Sequence, residues 1–324
     1  MRARNALRLA LAAFGGYAAY AWFAQRRFET LDVETAGAPG AFVDIEGMRV
    51  HYVEAGKGDP VVLVHGWNAS TFSFRHTIPE LARHHRVVAV DLLGFGFSGR
   101  PAKGDYSVVA QVRLLAGLLD HLDIRRATVI GHSMGGGIAM HLALAHPERV
   151  ARLVLVDAAS EDEARRGLRA GRLLRHVLFL LSPLALHAEP LGRSVFRLAV
   201  HDPAMLTPDV LEGYTRPLRV RGHLRGLGRQ LRDRGREPVL DPGRITQPTL
   251  VLWGEHDRVI PLSTGEDLSR RIPGARFELV RGAGHLPLEE QPETCNRILA
   301  EFLHTAAAAG ASTAGSAVQL EQPA

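Results

Sequence analysis

The sequence predicts a doubly wound α/β fold: a mostly parallel sheet with helices on both faces and a helical cap inserted into it. Three observations carry this reading. Apolar, β-rich runs (Pro60 to His65, Arg86 to Leu92, Ala127 to Ile130, Ala151 to Val156, Pro248 to Trp253) alternate with helix-forming stretches. Ala127 to Gly137 condenses a short buried strand, a one-residue apex at Ser133 and a helix opening into eleven residues. Roughly ninety residues separate the last two of those strands, far more than a strand-to-helix connection needs, so they are expected to form a lid.

Taken in order, the chain begins with an uncharged run, Leu9 through Ala24, between Arg2, Arg4, Arg8 and Arg26, Arg27, with Tyr17, Tyr20 and Trp22 toward one end. It is borderline for a membrane span, which needs about 20 apolar residues. The aromatic cluster suits an interface, so residues 7–25 are expected to hold the protein at a membrane through a single N-terminal helix. A cleaved signal with Ala19-Tyr20-Ala21 as its site, giving a secreted protein, and a plain amphipathic helix compete with that reading. Residues 28–41 carry acidic, Gly and Pro residues without periodicity and read as a linker. Phe42 to Ile45 and Met48 to Glu54 alternate like two strands joined at Glu46-Gly47. Pro60 to His65 is a continuous apolar strand of the kind buried on both faces. A helical stretch through Ile78 to Leu81, the strand to Leu92, a glycine-rich loop through Gly99 and an amphipathic helix from Gln111 to Leu122 lead to the Ser133 turn.

Beyond the helix that follows Ser133, the expected cap contains the apolar run Leu173 to Leu181 and is broken by Pro183, Pro190, Pro203, Pro208 and Pro217. Gly274 to Val280 gives the last strand and Pro292 to His304 the last helix. The expected domains are therefore an N-terminal hydrophobic anchor or signal (1–27), a linker (28–41), the first part of the core (42–158), the cap (159–243), the second part of the core (244–304) and a disordered Ala, Gly, Ser and Thr rich tail (305–324).

The chain of 324 residues has a formal net charge of +5, nearly all of its positive charge being arginine, since lysine occurs only at positions 57 and 103. No basic run interleaved with aromatics appears, which argues against nucleic acid as a partner. Cys295 is the sole cysteine, so an intramolecular disulfide and a cysteine zinc site are both excluded. Arg216 to Arg236 reads as a solvated basic face.

Gly131, Ser133 and Gly135 fit G-x-S-x-G, a turn so tight that its serine stands side-chain-up above the sheet and its neighbours must lack a Cβ. A serine hydroxyl becomes a nucleophile when an imidazole takes its proton and a carboxylate fixes that imidazole's tautomer. His285, in Gly282-Ala-Gly-His285, and Asp257, in Trp253-Gly-Glu-His-Asp257, both follow strands and belong at the carboxyl edge of the sheet, where open α/β folds place their sites. Asp157 also ends a strand and is the alternative acid. Asp91 and Asp105 read as capping or turn residues. The amides of Met134, at a helix N-terminus, and Trp67, after His65-Gly66, are the expected donors to a developing oxyanion; His65 is expected to be a structural hydrogen-bonder.

From about Phe42 to His304 these motifs, together with Asp91-Leu-Leu-Gly-Phe-Gly-Phe-Ser-Gly99, resemble the α/β-hydrolase superfamily, in its serine esterase and lipase branch with a helical cap. The resemblance implies a triad of Ser133, Asp257 and His285, an oxyanion hole at Trp67 and Met134, and neither cofactor nor metal. Relatives that open epoxides or displace halides carry aspartate at the elbow, which disfavours those reactions for Ser133. Carbon–carbon bond hydrolases show a more glycine-rich oxyanion loop than Trp67-Asn68-Ala69-Ser70. The expected function is therefore cleavage of a carboxylic ester in a small-molecule substrate with a medium or long acyl chain. A carbon–carbon bond hydrolase, a perhydrolase and an amidase on the same triad stand as alternatives, as does a non-enzymatic small-molecule receptor on the same scaffold.

Overall fold

The structure, a computed structural model, describes residues 16, 23, 26–159, 196–233 and 238–314. Eight strands form one sheet in the order β1-β2-β4-β3-β5-β6-β7-β8: β1 Ala41–Ile45, β2 Met48–Ala55, β3 Asp59–Val64, β4 His85–Val90, β5 Ala127–His132, β6 Val150–Val156, β7 Thr249–Gly254 and β8 Arg276–Val280. β1, β2 and β4 pair antiparallel; every other neighbouring pair is parallel. The doubly wound sheet predicted from the strand and helix alternation is the one observed.

The helices used below are α1 Thr77–Leu81, α2 Val108–His121, α3 Met134–Ala145, α4 Pro208–Thr215, α5 His223–Asp233, α6 Leu262–Arg271, α7 Pro287–Glu290 and α8 Pro292–Ala314. Each strand of the parallel block feeds two cores. In β3, Val62 and Val64 pack with Leu115 and Leu118 of α2, Ile138 and Met140 of α3 and Leu268 of α6. Val61 and Leu63 face the other way, toward Leu81 of α1 and Ile298, Leu299 and Phe302 of α8. A strand buried on both faces has no room for polar alternation, which is why the sequence there is continuously apolar.

The chain runs from β3 outward to β4 and returns to β5 on the opposite side of β3. The strand order therefore reverses between β3 and β5, and the connections that leave their carboxyl ends, after Val64 and His132, part to either side of a crevice.

Three expectations need adjustment. The single membrane-spanning N-terminal helix does not hold: among the described residues no helix is long and apolar enough to cross a membrane. The sixteen uncharged residues from Leu9 to Ala24 fall below the ~17 that a span requires. Apart from Gly16 and Phe23, residues 7–25 lie outside the described residues, as do the apolar run 173–181 and the rest of 160–195. The last helix does not stop at His304 but continues to Ala314, through alanines that favour helix more than any other residue. The 28–41 stretch, read as a linker, is fastened to the core and to the segment before α5: the Leu31 amide donates to Arg219 O at 3.0 Å and the Arg221 amide to Leu31 O at 2.9 Å.

Candidate active site

Ser133 is the single residue between β5 and α3, and its φ of 52° and ψ of −120° lie where a side chain is strained. Close packing enforces that turn. A Cβ on Gly135 would stand 2.1 Å from Val64 O, and one on Gly131 would stand 2.4 Å from Gly135 O, so neither position admits any other residue without moving the backbone. The serine hydroxyl is thereby pointed up into the crevice over β3 and β5.

The structure brings Ser133, His285 and Asp257 together. His285 Nε2 lies 3.0 Å from Ser133 Oγ, and His285 Nδ1 lies 2.7 Å from Asp257 Oδ2. The other Asp257 oxygen accepts the amides of Val259 at 2.7 Å and Ile260 at 2.9 Å, which locks the carboxylate after β7. An ionised Asp257 makes Nδ1 the protonated nitrogen of a neutral imidazole and leaves the Nε2 lone pair toward the serine. His285 itself is held by its main chain: its amide donates to Ala199 O at 2.7 Å, its carbonyl meets His132 Nε2 at 2.7 Å, and the Gly284 amide donates to Glu290 Oε1 at 2.8 Å.

Trp67 and Met134 flank the serine. Met134 is the first residue of α3, whose leading amides have no intrahelical acceptor. Trp67 follows Gly66, where a Cβ would lie 3.0 Å from Ser133 Cβ, so this loop rests directly on the serine. His65 is buried and structural in its contacts: Nε2 accepts the Leu92 amide at 3.0 Å, Nδ1 meets Gly66 O at 2.7 Å, and burial holds the imidazole below its usual pKa. Asp91 accepts the Thr71 amide at 2.7 Å and the Phe97 amide at 2.8 Å and pairs with His51, binding the loop after β3 to the glycine-rich loop. Burial works against its charge, but the hydrogen bond and charge of His51 prevail and keep its carboxyl below the ordinary range. Asp105 accepts the Ser107 amide, a turn contact.

Asp157, the alternative acid, does not meet His285 in a hydrogen bond; its Oδ1 accepts the Gly254 amide at 2.8 Å. Sequence reasoning gave no role to His132, Ala199 or Glu290, which hold the His285 loop. His132 could have been suspected from its place beside Ser133, whereas the Ala199 carbonyl acts through backbone geometry that no residue type announces. Among the described residues, His132, Asp157 and His285 each bring a potential metal-ligand atom within 4.8 Å of the others. Both nitrogens of His285 and one of His132 are already engaged in the contacts above, and burial takes the His132 imidazole down to about 3. The chemistry that this arrangement can perform is nucleophilic, with a serine, a base and an orienting acid in line.

The family described as the alpha/beta hydrolase fold matches residues 59–292. Among similar proteins, an uncharacterised hydrolase of Bacillus subtilis, YugF, is 31% identical over 80% of this chain and 96% of its own. The 2-hydroxy-6-oxo-2,4-heptadienoate hydrolase of Pseudomonas putida is 32% identical over 82% of this chain and 96% of its own. Of solved structures, a meta-cleavage product hydrolase from Pseudomonas fluorescens aligns with a TM-score of 0.71 at 27% identity, covering 82% of this chain and 98% of its own. A bacterial membrane phospholipase A aligns with a TM-score of 0.70 at 27% identity, covering 94% and 98%.

Proposed function

Since the chain belongs to the alpha/beta hydrolase fold family and is a hydrolase, we propose that it is a serine hydrolase that cleaves carboxylic esters through an acyl-enzyme on Ser133. The observation that carries this is the unbroken line Ser133 Oγ, His285, Asp257, at 3.0 and 2.7 Å, on a serine held at positive φ. In this mechanism Ser133 Oγ attacks the acyl carbonyl while His285 Nε2 takes the hydroxyl proton. Asp257 keeps Nδ1 protonated and stabilises the imidazolium. The amides of Trp67 and Met134 receive the negative oxygen of the tetrahedral intermediate. His285 returns the proton to the departing alkoxide, then activates a water that attacks the acyl carbon and frees Ser133.

The cap expected over residues 159–243, of which 160–195 and 234–237 lie outside the described residues, is kept in this reading, and a medium or long acyl chain is the substrate class, since one structural neighbour is a phospholipase A. A second reading has its own support. Relatives at about 31% identity are 2-hydroxymuconate semialdehyde and related hydrolases, so carbon–carbon bond cleavage on the same triad is the competing reaction.

A panel of p-nitrophenyl esters of graded acyl length, run beside a vinylogous diketone of the 2-hydroxy-6-oxo-dienoate type, tests both. Ester cleavage predicts that kcat/KM rises with acyl length by up to about fourfold per methylene until the pocket is full, because each buried CH₂ is worth roughly 0.8 kcal/mol. Preference for the diketone by orders of magnitude selects the second reading. A folded protein whose Ser133 takes no fluorophosphonate label defeats both and favours a receptor.

A further inference from the structure

Asp157 directly follows β6, which lies between the strand that leads to Ser133 and the strand that leads to Asp257, and its side chain is wholly buried. Its backbone is held at a φ of 43°, with its amide donating to Leu252 O, so the carboxyl is aimed by the fold. Oδ1 accepts the Gly254 amide at 2.8 Å, while Oδ2 meets no donor among the described residues. An Asp157 carboxyl oxygen lies within 4.8 Å of a His285 ring nitrogen, and His285 Nδ1 is 2.7 Å from Asp257 Oδ2, so the two carboxyl groups, both acceptors when ionised, crowd the same side of the imidazole.

Two carboxyl groups can face each other without repulsion only if one of them carries a proton. Their other partners decide which. Among the described residues Asp257 receives three donors, the Val259 and Ile260 amides and His285 Nδ1, whereas Asp157 receives one. Among the described residues the carboxyl oxygen left free to carry a proton is therefore Asp157 Oδ2.

We propose that Asp157 is a positioning residue of the triad: in its protonated form it donates its carboxyl O–H to the Asp257 carboxylate and so fixes the acid that orients His285. The inference rests on the triad reading above. Its surroundings agree. Burial first, and the charge of Asp257 next, raise the Asp157 carboxyl well above the ordinary range, opposed by the Gly254 amide and reinforced by Glu290. Among the described residues the remaining titratable neighbours are the His285 ring and the His132 ring, which burial takes down to about 3, both within 4.8 Å, and the Cys295 thiol, which burial pushes up to about 12.

Asparagine reproduces a protonated aspartate, with an oxygen for Gly254 and an N–H for Asp257; alanine removes the donor. The first measurement is independent of turnover. The infrared difference between parent and Asp157→Asn at neutral pH should contain the carbonyl stretch of a protonated carboxylic acid, and its absence overturns the proposal. The second is the pH profile of ester kcat/KM. Asp157→Ala should lose about tenfold or more in kcat with KM nearly unchanged and move its acid limb to higher pH, because Asp257 has lost a hydrogen bond to its charge. Asp157→Asn should recover most of that kcat and keep the parent's acid limb. Were Asp157 ionised, both substitutions would delete a negative charge beside the imidazole and both acid limbs would move to lower pH, which sinks the idea. Should the Ala variant fail to fold, the direction of the Asn limb still decides. A fluorophosphonate arm on the parent separates the two levels: an unlabelled Ser133 ends the triad reading, while the infrared band still reports where the proton lies.

Discussion

At Ser133 the fold holds a backbone conformation that costs on the order of 1–3 kcal/mol, and three hydrogen bonds over-determine it. The Ser133 amide donates to Val156 O at 2.9 Å, and the Ser133 carbonyl accepts the amides of Gly136 and Ala159, each at 2.9 Å. The residue is thus tied to the strand beside it and to the chain leaving that strand, which keeps the hydroxyl within 3.0 Å of His285 Nε2 before any substrate arrives. If serine and histidine act as one machine, removing either removes the whole of it. Ser133→Ala and His285→Ala should each lower ester turnover by about 10⁴- to 10⁶-fold, and the double variant should fall almost no further. Losses that multiply would mean that the two side chains act independently.

Between the elements, the contacts that hold α4 to the rest of the protein show what the sequence could and could not disclose. The strands and the Ser133 turn were legible because burial on both faces writes a continuous apolar run and the elbow writes glycine at Gly131 and Gly135. His285 and Asp257 were legible because each follows a strand at the edge where loops gather. Glu289 was not: in Pro-Leu-Glu-Glu it looks like any first-turn acid, yet its side chain is buried between α7, the segment after β3 and α4, where Arg75 Nη2 reaches its Oε2 at 2.8 Å and Tyr214 faces it. Burial raises this carboxyl from 4.5 to about 7 in spite of Arg75. A folded-state pKa above the unfolded one means that the folded protein holds the proton more tightly. The associated stability is complete below about pH 4.5 and is lost as pH rises through about 7. The full shift corresponds to roughly 3 kcal/mol. Urea unfolding of the parent and of Glu289→Gln should therefore show the parent losing stability relative to the variant by about that amount between pH 4.5 and 8. A difference that stays flat with pH would mean that Arg75 keeps the carboxyl ionised throughout.

On the scale of the whole molecule, the strap that precedes β1 joins regions that the sheet does not. Glu29 is 8% exposed and accepts the Gly222 amide at 2.9 Å and the Leu224 amide at 2.8 Å, so one carboxylate serves two backbone donors at the start of α5. An anion there also meets the positive end of the helix. Leu31 forms a parallel bridge to Val220, Arg216 donates to Ala36 O, and Ala36, Phe97 and Val220 close a small apolar cluster that links strap, glycine-rich loop and the segment before α5. None of this was visible in an acidic, glycine-containing stretch without periodicity, because its order comes from a partner nearly two hundred residues away. Hydrogen bonds to a charged group are worth ~1.5–3 kcal/mol each, and Glu29→Ala also strands two buried amides. The loss should be local. Hydrogen exchange at the α5 amides should accelerate by at least tenfold in Glu29→Ala, while exchange in β3, β5 and β6 stays at the parent rate, since those strands are held by cores that the strap does not enter. Acceleration that spreads evenly over the sheet would show that α5 and the sheet open as one unit and that the strap stabilises the fold as a whole.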